Sequence, residues 1–278
     1  MTRLNPLITS IAKLVGIKLN VLSKFAFLSR LLRDGLYCPV CKSRQPKFMP
    51  LPASYAMEAD RYGYSNFGKA ETINLKQYSC SNCGASDRER LYALFFDKAE
   101  ATYFYVEQLK LLHFAPERAF SSFLRKFGFP TYRTADLGGM EVDNQIDIMQ
   151  MQEYQDNEWD AFICSHVLEH VKDDAAALRE LFRILKPNGW GILMVPLMSH
   201  FEVTLEDSTL VSEAERYRFF GQADHVRLYA KKDFLMRVTK VGFLIHQLGV
   251  EYFGADVFRR CGITSQSTLY VVTKPSND

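Results

Sequence analysis

Four of the six cysteines in the chain stand in two close pairs, Cys38-Pro-Val-Cys41 and Cys80-Ser-Asn-Cys83. The two-residue spacing lets one tight turn present two thiolates to the same ion, and two such turns complete the tetrahedral shell of Zn²⁺. A shell of four thiolates has no open position, so the metal would stabilise the fold and take no part in a reaction. The segment 42–79 between the pairs is longer than the usual zinc-ribbon loop, and redox-active dithiols or two short disulfides remain alternatives.

A second group of chemistry-bearing residues follows an apolar run in Trp159-Asp-Ala-Phe-Ile-Cys-Ser-His-Val-Leu-Glu-His-Val171. The apolar run predicts a strand buried in a parallel sheet. In doubly wound sheets, ligands bind beyond the carboxyl ends of the strands. Ser165 and His166 are therefore candidate site residues. Downstream, Asp174 stands where a helix N-cap belongs, and Pro187 predicts that this helix ends before the next strand.

The elements that would position these residues follow an alternating pattern of short apolar runs and helical stretches from Leu111 onward. This pattern predicts an α/β fold built of βαβ units around a mostly parallel sheet. Strands are predicted over residues 110–114, 130–136, 145–148, 161–165, 189–196, 243–248 and 269–273. Helices are predicted over residues 119–127, 174–185 and 231–241. Residues 197–229 interrupt the alternation and are predicted to form a lid or substrate loop.

Two stretches of the chain resemble class I S-adenosylmethionine (SAM) dependent methyltransferases. They are the segment 159–171 and, after it, Leu178-Arg-Glu-Leu-Phe-Arg-Ile-Leu-Lys-Pro-Asn-Gly189. In that family the same order and spacing read HVLEH and then ELxRxLKPGG, at the fourth strand, its helix and the start of the fifth strand. The resemblance extends from about Lys110 to the C-terminus. It implies a Rossmann-like, seven-stranded methyltransferase sheet with helices on both faces, and SAM as the methyl donor.

The resemblance also implies roles for individual residues at the strand ends. Asp136 would accept hydrogen bonds from the ribose hydroxyls of SAM, because a carboxylate offers two acceptor oxygens to a diol. Asp147 would bind the adenine amine, with Ile148 or Met149 packing against the ring. Ser165 and His166 would lie beside the methionine portion and the transferable methyl group.

The loop after the first strand departs from the family pattern of an acidic residue followed by alternating glycines. It reads His113-Phe-Ala115-Pro116-Glu117, so glycine's freedom at positive φ is lost and a proline stiffens the turn. A bacterial subgroup of these methyltransferases is similar: it has this loop, an N-terminal cysteine module and a later Phe-Gly-Gln-x-Asp-His-Val-Arg stretch. All three features are present here. We expect a variant cofactor-binding loop in which Glu117 meets the ammonium group of SAM.

The predicted lid carries the candidate substrate residues. Methyl transfer is an in-line displacement helped by orientation and by a base that removes the acceptor's proton. His225 and His166 have the pKa range of such a base, although a structural role is the alternative for each. Arg227 would hold a carboxylate or phosphate of the substrate, and Asp207 is a further substrate-binding candidate.

The charge balance argues against a nucleic-acid partner, since 34 Lys and Arg residues face 32 Asp and Glu residues among 278. Residues 1–35 are basic and have helical apolar spacing. They would pack on the body of the protein or, through residues 3–33, touch an anionic membrane surface. The paired, unevenly placed cysteines favour a reducing compartment, so a cytoplasmic protein is expected, with possible peripheral contact at the inner membrane face.

The predicted organisation has four parts: a basic amphipathic helix (1–35), a small zinc-ribbon-like module (36–86), a linking helix (87–109) and the methyltransferase domain (110–278). The leading hypothesis is methyl transfer from SAM to a small molecule or a glycan sugar. One alternative is an RNA methyltransferase whose zinc module grips the RNA. Another is a non-catalytic SAM-fold binding protein, which the glycine-poor loop keeps open.

Overall fold

The computed structural model describes residues 35–100, 108–138 and 141–276, and of residues 99 and 100 only the backbone. The predicted amphipathic helix of residues 1–35 therefore lies almost wholly outside the described residues. The segment before the sheet contains β1 (Leu36–Cys38), β2 (Ser43–Gln45), β3 (Phe48–Met49), α1 (Ala53–Tyr62), β4 (Ser79–Cys80) and α2 (Asp87–Glu100).

The remaining elements alternate as the sequence pattern predicts. They are β5 (Lys110–Phe114), α3 (Arg118–Arg125), β6 (Thr131–Asp136), β7 (Asn144–Gln145), β8 (Trp159–Ser165), α4 (Asp174–Ile184), β9 (Leu185–Met194), β10 (Leu197–Met198), β11 (Leu205–Glu206), α5 (Glu213–Phe220), β12 (Arg227–Ala230), α6 (Lys231–Lys240), β13 (Leu244–Leu248), α7 (Val250–Phe253), α8 (Ala255–Arg260) and β14 (Leu269–Thr273).

The central sheet has seven strands in the order β13-β14-β9-β8-β5-β6-β7. Five adjacent strands, β9, β8, β5, β6 and β7, are parallel to one another. Strand β14 is antiparallel to both of its neighbours, β9 and β13. Strand β8 lies at the centre, with Phe162, Ile163 and Cys164 completely buried, as expected where helices cover both faces of a sheet. The predicted Rossmann-like α/β fold is confirmed.

Three local details differ from the expectations. Strand β9 begins at Leu185, so Pro187 lies within the strand and not before it. Strand β7 has only two residues, although Ile146 and Ile148 beyond it remain buried. The N-cap of α4 is Asp173, whose side chain accepts a hydrogen bond from the backbone of Ala176, so the cap predicted at Asp174 was wrong by one residue. The carboxylate of Asp174 is instead occupied by Tyr229 at 2.7 Å and Arg237 at 2.9 Å.

The segment that carries the cysteines packs onto the same hydrophobic core as the sheet. Arg90, on α2, is completely buried and donates hydrogen bonds to five backbone carbonyls, those of Gln77, Tyr78, Ala85, Cys261 and Gly262. These carbonyls belong to the cysteine segment and to the region after α8. The face of its guanidinium lies 4.0 Å from the ring centroid of Phe48. One side chain thus joins chain segments that are far apart in sequence.

The predicted lid forms a small three-stranded sheet in the order β10-β12-β11, with α5 between β11 and β12. Its edge is held to α6 by Arg237, which donates to Glu206 at 2.7 Å, and Arg227 also reaches Glu206 at 3.0 Å. Among the residues that the structure describes, no helix has the length and apolar character needed to cross a membrane.

Candidate functional site

The carboxyl ends of β5, β6, β7 and β8 meet along one edge of the sheet. Asp136 is in register with Gln145 on the neighbouring strand, and its carbonyl accepts a hydrogen bond from Ile146 at 2.9 Å. Asp147 therefore follows at the same edge, as predicted. Each carboxylate closes a local turn with one oxygen, Asp136 toward Gly138 at 2.9 Å and Asp147 toward Met149 at 2.8 Å.

The first loop keeps a left-handed backbone turn although it lacks glycine. Ala115 has a φ of 44° and donates its N–H to Ala135 of β6 at 2.9 Å. This conformation costs an alanine about 1 kcal/mol or more. After Pro116, Glu117 takes the N-cap position of α3 with extended backbone, but its side chain makes no capping bond. The chain thus takes the conformation that glycine favours, and the Glu117 carboxylate is directed elsewhere.

Glu117 lies in a buried polar cluster under the carboxyl edge. Its Oε2 lies 3.0 Å from Nε2 of His113, whose Nδ1 bonds to the hydroxyl of Tyr132 at 2.8 Å. Its Oε1 accepts a hydrogen bond from Ser165 at 3.1 Å, and Nε of Arg88 lies 3.8 Å away. Burial on its own raises the pKa of Glu117, but the His113 hydrogen bond and the Arg88 guanidinium outweigh it and leave the pKa below its ordinary value. Glu117 is therefore a carboxylate at neutral pH.

A cleft of about 160 Å³ opens beside this edge. One wall comes from α1 and the segment after it, and the opposite wall comes from the lid. The rings of Tyr62 and Tyr217 stack across the two walls with centroids 4.5 Å apart. Aromatic and apolar side chains dominate the lining, and its polar members include Asn66, Thr72, Asp87, Arg88, His166, Gln222 and His225.

His166 lines the cleft directly after β8. Its φ is 55°, and its N–H donates to the carbonyl of Met194 at 2.8 Å, which holds this unusual backbone in place. Nδ1 lies 3.2 Å from Oε1 of Glu169, and 21% of the His166 side chain is exposed. Burial, and to a lesser degree the Arg88 charge, lowers the pKa of His166. The ring is therefore neutral at pH 7, the state in which an imidazole accepts a proton.

The other predicted lid residues lie in different surroundings. His225 lines the cleft and its Nδ1 bonds to the carbonyl of Phe220 at 3.1 Å. Arg227 lies outside the cleft lining, and its guanidinium is used within the protein, on Glu206 and on the carbonyls of Leu168, Val171 and Lys172. These contacts tie the lid to the turn after β8. Asp207 is exposed, and its carboxylate accepts a hydrogen bond from the backbone N–H of Thr209 at 2.8 Å. Together with Arg227 it lines a separate surface depression.

Arg88 lines the cleft but was not among the site residues predicted from the sequence. It lies in the first turn of α2 and its side chain is 26% exposed, so a cation faces the space between the cleft and Glu117. Its Nε makes no hydrogen bond to any described residue. The available signal was the charged run Asp87-Arg-Glu-Arg90 at the start of the predicted linking helix. The unusual length of segment 42–79 was a second signal, because that segment supplies the cleft wall.

The four paired cysteines come together as one cluster. Sγ of Cys38 lies 3.8 Å from Sγ of Cys83, and Sγ of Cys41 lies 3.8 Å from Sγ of Cys80. Four sulfurs bonded to one Zn²⁺ at about 2.3 Å lie about 3.8 Å apart at the edges of the tetrahedron. All six cysteines are free thiols, so the disulfide alternative is not what the structure shows. The donor set and its spacing fit a closed zinc site.

The strand order, with β14 antiparallel beside five parallel strands, defines the Rossmann-like class of methyltransferase folds. The family model described as "Methyltransferase domain" matches residues 106–248, more than half of the chain. The chain therefore belongs to this methyltransferase family.

A search of curated protein sequences gives no match. Similar solved structures include the CurJ carbon methyltransferase, 16% identical over 68% of this chain and 54% of that one, with a TM-score of 0.44. A SAM-dependent methyltransferase from Mesorhizobium loti is 12% identical over 65% of this chain and 96% of its own, with a TM-score of 0.42. The citrinin polyketide synthase CMeT domain is 13% identical over 72% and 55%, with a TM-score of 0.45. The chain thus spans about half the length of the first and third structures.

Proposed function

We propose that the protein transfers a methyl group from SAM to a small-molecule or sugar acceptor bound in the aromatic cleft. The observation that carries this proposal is the position of His166. Its ring lines the cleft, and it is one residue beyond Ser165, whose hydroxyl bonds to Glu117 of the first loop. A donor held along the strand ends would therefore meet an acceptor held in the cleft at this point.

The residues along the strand ends fit the donor. Asp136 would accept the ribose hydroxyls, Asp147 the adenine amine, and the half-buried carboxylate of Glu117 the ammonium group. Ile148 is buried beside Asp147, as a residue packing against the adenine would be. His113 is completely buried and acts through Glu117, whereas Ala115 and Pro116 shape the loop backbone. When bound, SAM supplies an electrophilic methyl group on a sulfonium sulfur.

The cleft residues fit the acceptor. A cleft lined by aromatic rings and a few polar side chains suits a small molecule or a sugar ring. His166, neutral at pH 7, would take the proton that the acceptor loses as its lone pair attacks the methyl carbon. Arg88 would bind an anionic group of the acceptor, the role expected of Arg227 from the sequence. Four thiolates of the cysteine cluster would bind Zn²⁺ and fix the base of the cleft wall.

Calorimetric titration with S-adenosylhomocysteine tests the donor site. The unmodified protein is expected to bind it, and Asp136→Asn is expected to weaken binding about tenfold, since one charged acceptor is lost. The matched control is Asp156→Asn, at an exposed ion pair with Arg183 before β8, which should leave the affinity unchanged. Absence of binding to the unmodified protein would contradict the proposal.

A further inference from the structure

Glu169 is a buried carboxylate without adequate partners. It lies in the turn after β8, and its side chain is 1% exposed. Neither oxygen accepts a hydrogen bond from any described residue; the contact it has is with Nδ1 of His166, 3.2 Å from Oε1. A buried carboxylate that lacks hydrogen-bond donors requires a cation.

Two further imidazoles converge on this carboxylate. Three candidate ligand atoms lie within 4.8 Å of one another, one each from Glu169, His170 and His225. The two rings pack edge to face with centroids 4.6 Å apart. Two ligand atoms bonded at about 2.1 Å to a tetrahedral ion lie about 3.4 Å apart. Side-chain movements of about 1 Å would therefore bring the three groups onto one ion.

Nδ1 of each ring is already engaged. Nδ1 of His170 lies 3.1 Å from the carboxylate of Asp224, and Nδ1 of His225 lies 3.1 Å from the carbonyl of Phe220. Metal-bound histidines commonly donate the second ring N–H to a carboxylate or a backbone carbonyl, which fixes the tautomer and leaves the other nitrogen as ligand. In both rings this arrangement leaves Nε2 for the ion.

We propose that Glu169, His170 and His225 form a second metal site, for a divalent transition-metal ion such as Zn²⁺, Fe²⁺ or Co²⁺. Two imidazoles and one carboxylate select these ions over Mg²⁺ and Ca²⁺, which prefer oxygen ligands alone. Three protein ligands leave a coordination position open, unlike the four thiolates of the cysteine cluster. Because His225 lines the cleft, the site borders it. If the proposed function holds, an acceptor oxygen would occupy the open position.

Cobalt binding tests the site without a methyl donor or acceptor, so its outcome is independent of the proposed function. The full-length protein, purified with zinc in the cysteine cluster, is equilibrated with Co²⁺ without oxygen and passed through a desalting column. We expect one bound Co²⁺ per chain and weak visible d–d bands, without the intense charge-transfer bands of cobalt thiolates. We also expect Co²⁺ to raise the melting temperature, because the ion binds the folded state.

Glu169→Gln keeps the size of the side chain and removes the charge. It should lower the Co²⁺ affinity by at least about tenfold, as even the loss of an outer-shell partner does. Without Co²⁺ the variant should melt at or above the temperature of the unmodified protein, because an uncompensated buried charge is gone; this result also shows that it folds. The control is His246→Gln, a histidine on β13 that bonds to Thr273 and should bind Co²⁺ normally. Equal Co²⁺ binding by Glu169→Gln, or none by the unmodified protein, would overturn the proposal.

Discussion

The carboxylate of Glu117 occupies a position where the family's first loop has a glycine, and its partners explain why it is tolerated. Its charge is held by the hydrogen bond with His113 and by the hydroxyl of Ser165. The sequence identified Glu117 as a cofactor-binding candidate, but it could not show these contacts, because they depend on how β5 and β8 lie side by side. The left-handed φ of Ala115 was likewise invisible, since alanine rarely adopts it.

Glu117→Gln should weaken binding of S-adenosylhomocysteine about tenfold, because a neutral amide replaces the carboxylate that we propose to meet the ligand's ammonium group. Calorimetry measures the change. Glu251→Gln, at an exposed position on α7, is the matched control and should bind as the unmodified protein does. An unchanged affinity in Glu117→Gln would exclude direct contact with the ammonium group.

The lowered pKa of Glu117 predicts how the stability of the protein changes with pH. The pKa of Glu117 is lowered in the folded state below its ordinary value of 4.5, so the unfolded chain binds the proton more readily. Its contribution to stability is complete above pH 4.5 and is lost as the pH falls through the folded-state pKa. The difference in free energy of unfolding between the unmodified protein and Glu117→Gln should therefore shrink as the pH falls below 4.5. Urea denaturation at about pH 6 and at several pH values below 4.5 measures it, and a difference that grows on acidification would contradict the assignment.

At the scale of elements, the sequence predicted the sheet well and the cleft poorly. Strands such as β5 and β8 are short apolar runs whose burial dominates their conformation, so their pattern is sufficient to locate them. The wall formed by α1 and the segment after it has no comparable pattern, because residues such as Tyr62 and Tyr64 pack on the lid. The cap of α4 was misplaced by one residue because Asp173 and Asp174 are adjacent and chemically identical, and only packing separates their roles.

Gly221 shows how closely the lid and the cleft wall approach. It ends α5 with a φ of 85°, and a methyl group there would lie 2.7 Å from the ring of Tyr64. Gly221→Ala should cost about 1 kcal/mol for the left-handed backbone and about 1–3 kcal/mol more for the collision. Gly128→Ala is the matched control, since its φ is 90° with open space around it, and should show the backbone cost alone. Equal losses in urea denaturation would mean that the wall yields to the added methyl.

At the scale of the whole molecule, Arg90 connects the cysteine segment, α2 and the region after α8. Arg90→Met keeps an apolar stem but leaves five carbonyls without their donor, and each buried unsatisfied carbonyl costs about 1 kcal/mol or more. We expect a loss of at least about 3 kcal/mol in the free energy of unfolding.

The control for Arg90→Met is Arg179→Met, at an exposed position of α4, which should change stability by less than about 0.5 kcal/mol. Chemical denaturation followed by far-ultraviolet circular dichroism compares the two variants. Similar losses in both would show that the segments are held together by other contacts.

The wall contributed by segment 42–79 begins and ends at the cysteine cluster, and both ends are fastened at the same place. Because both ends of this segment are held at the cysteine cluster, the segment can change in length and composition while the strand ends proposed to bind the donor keep their geometry. If the proposed function holds, the choice of acceptor is therefore set by a segment that can be exchanged. Proteins sharing this architecture should diversify there first, much as antibody loops vary on a constant frame.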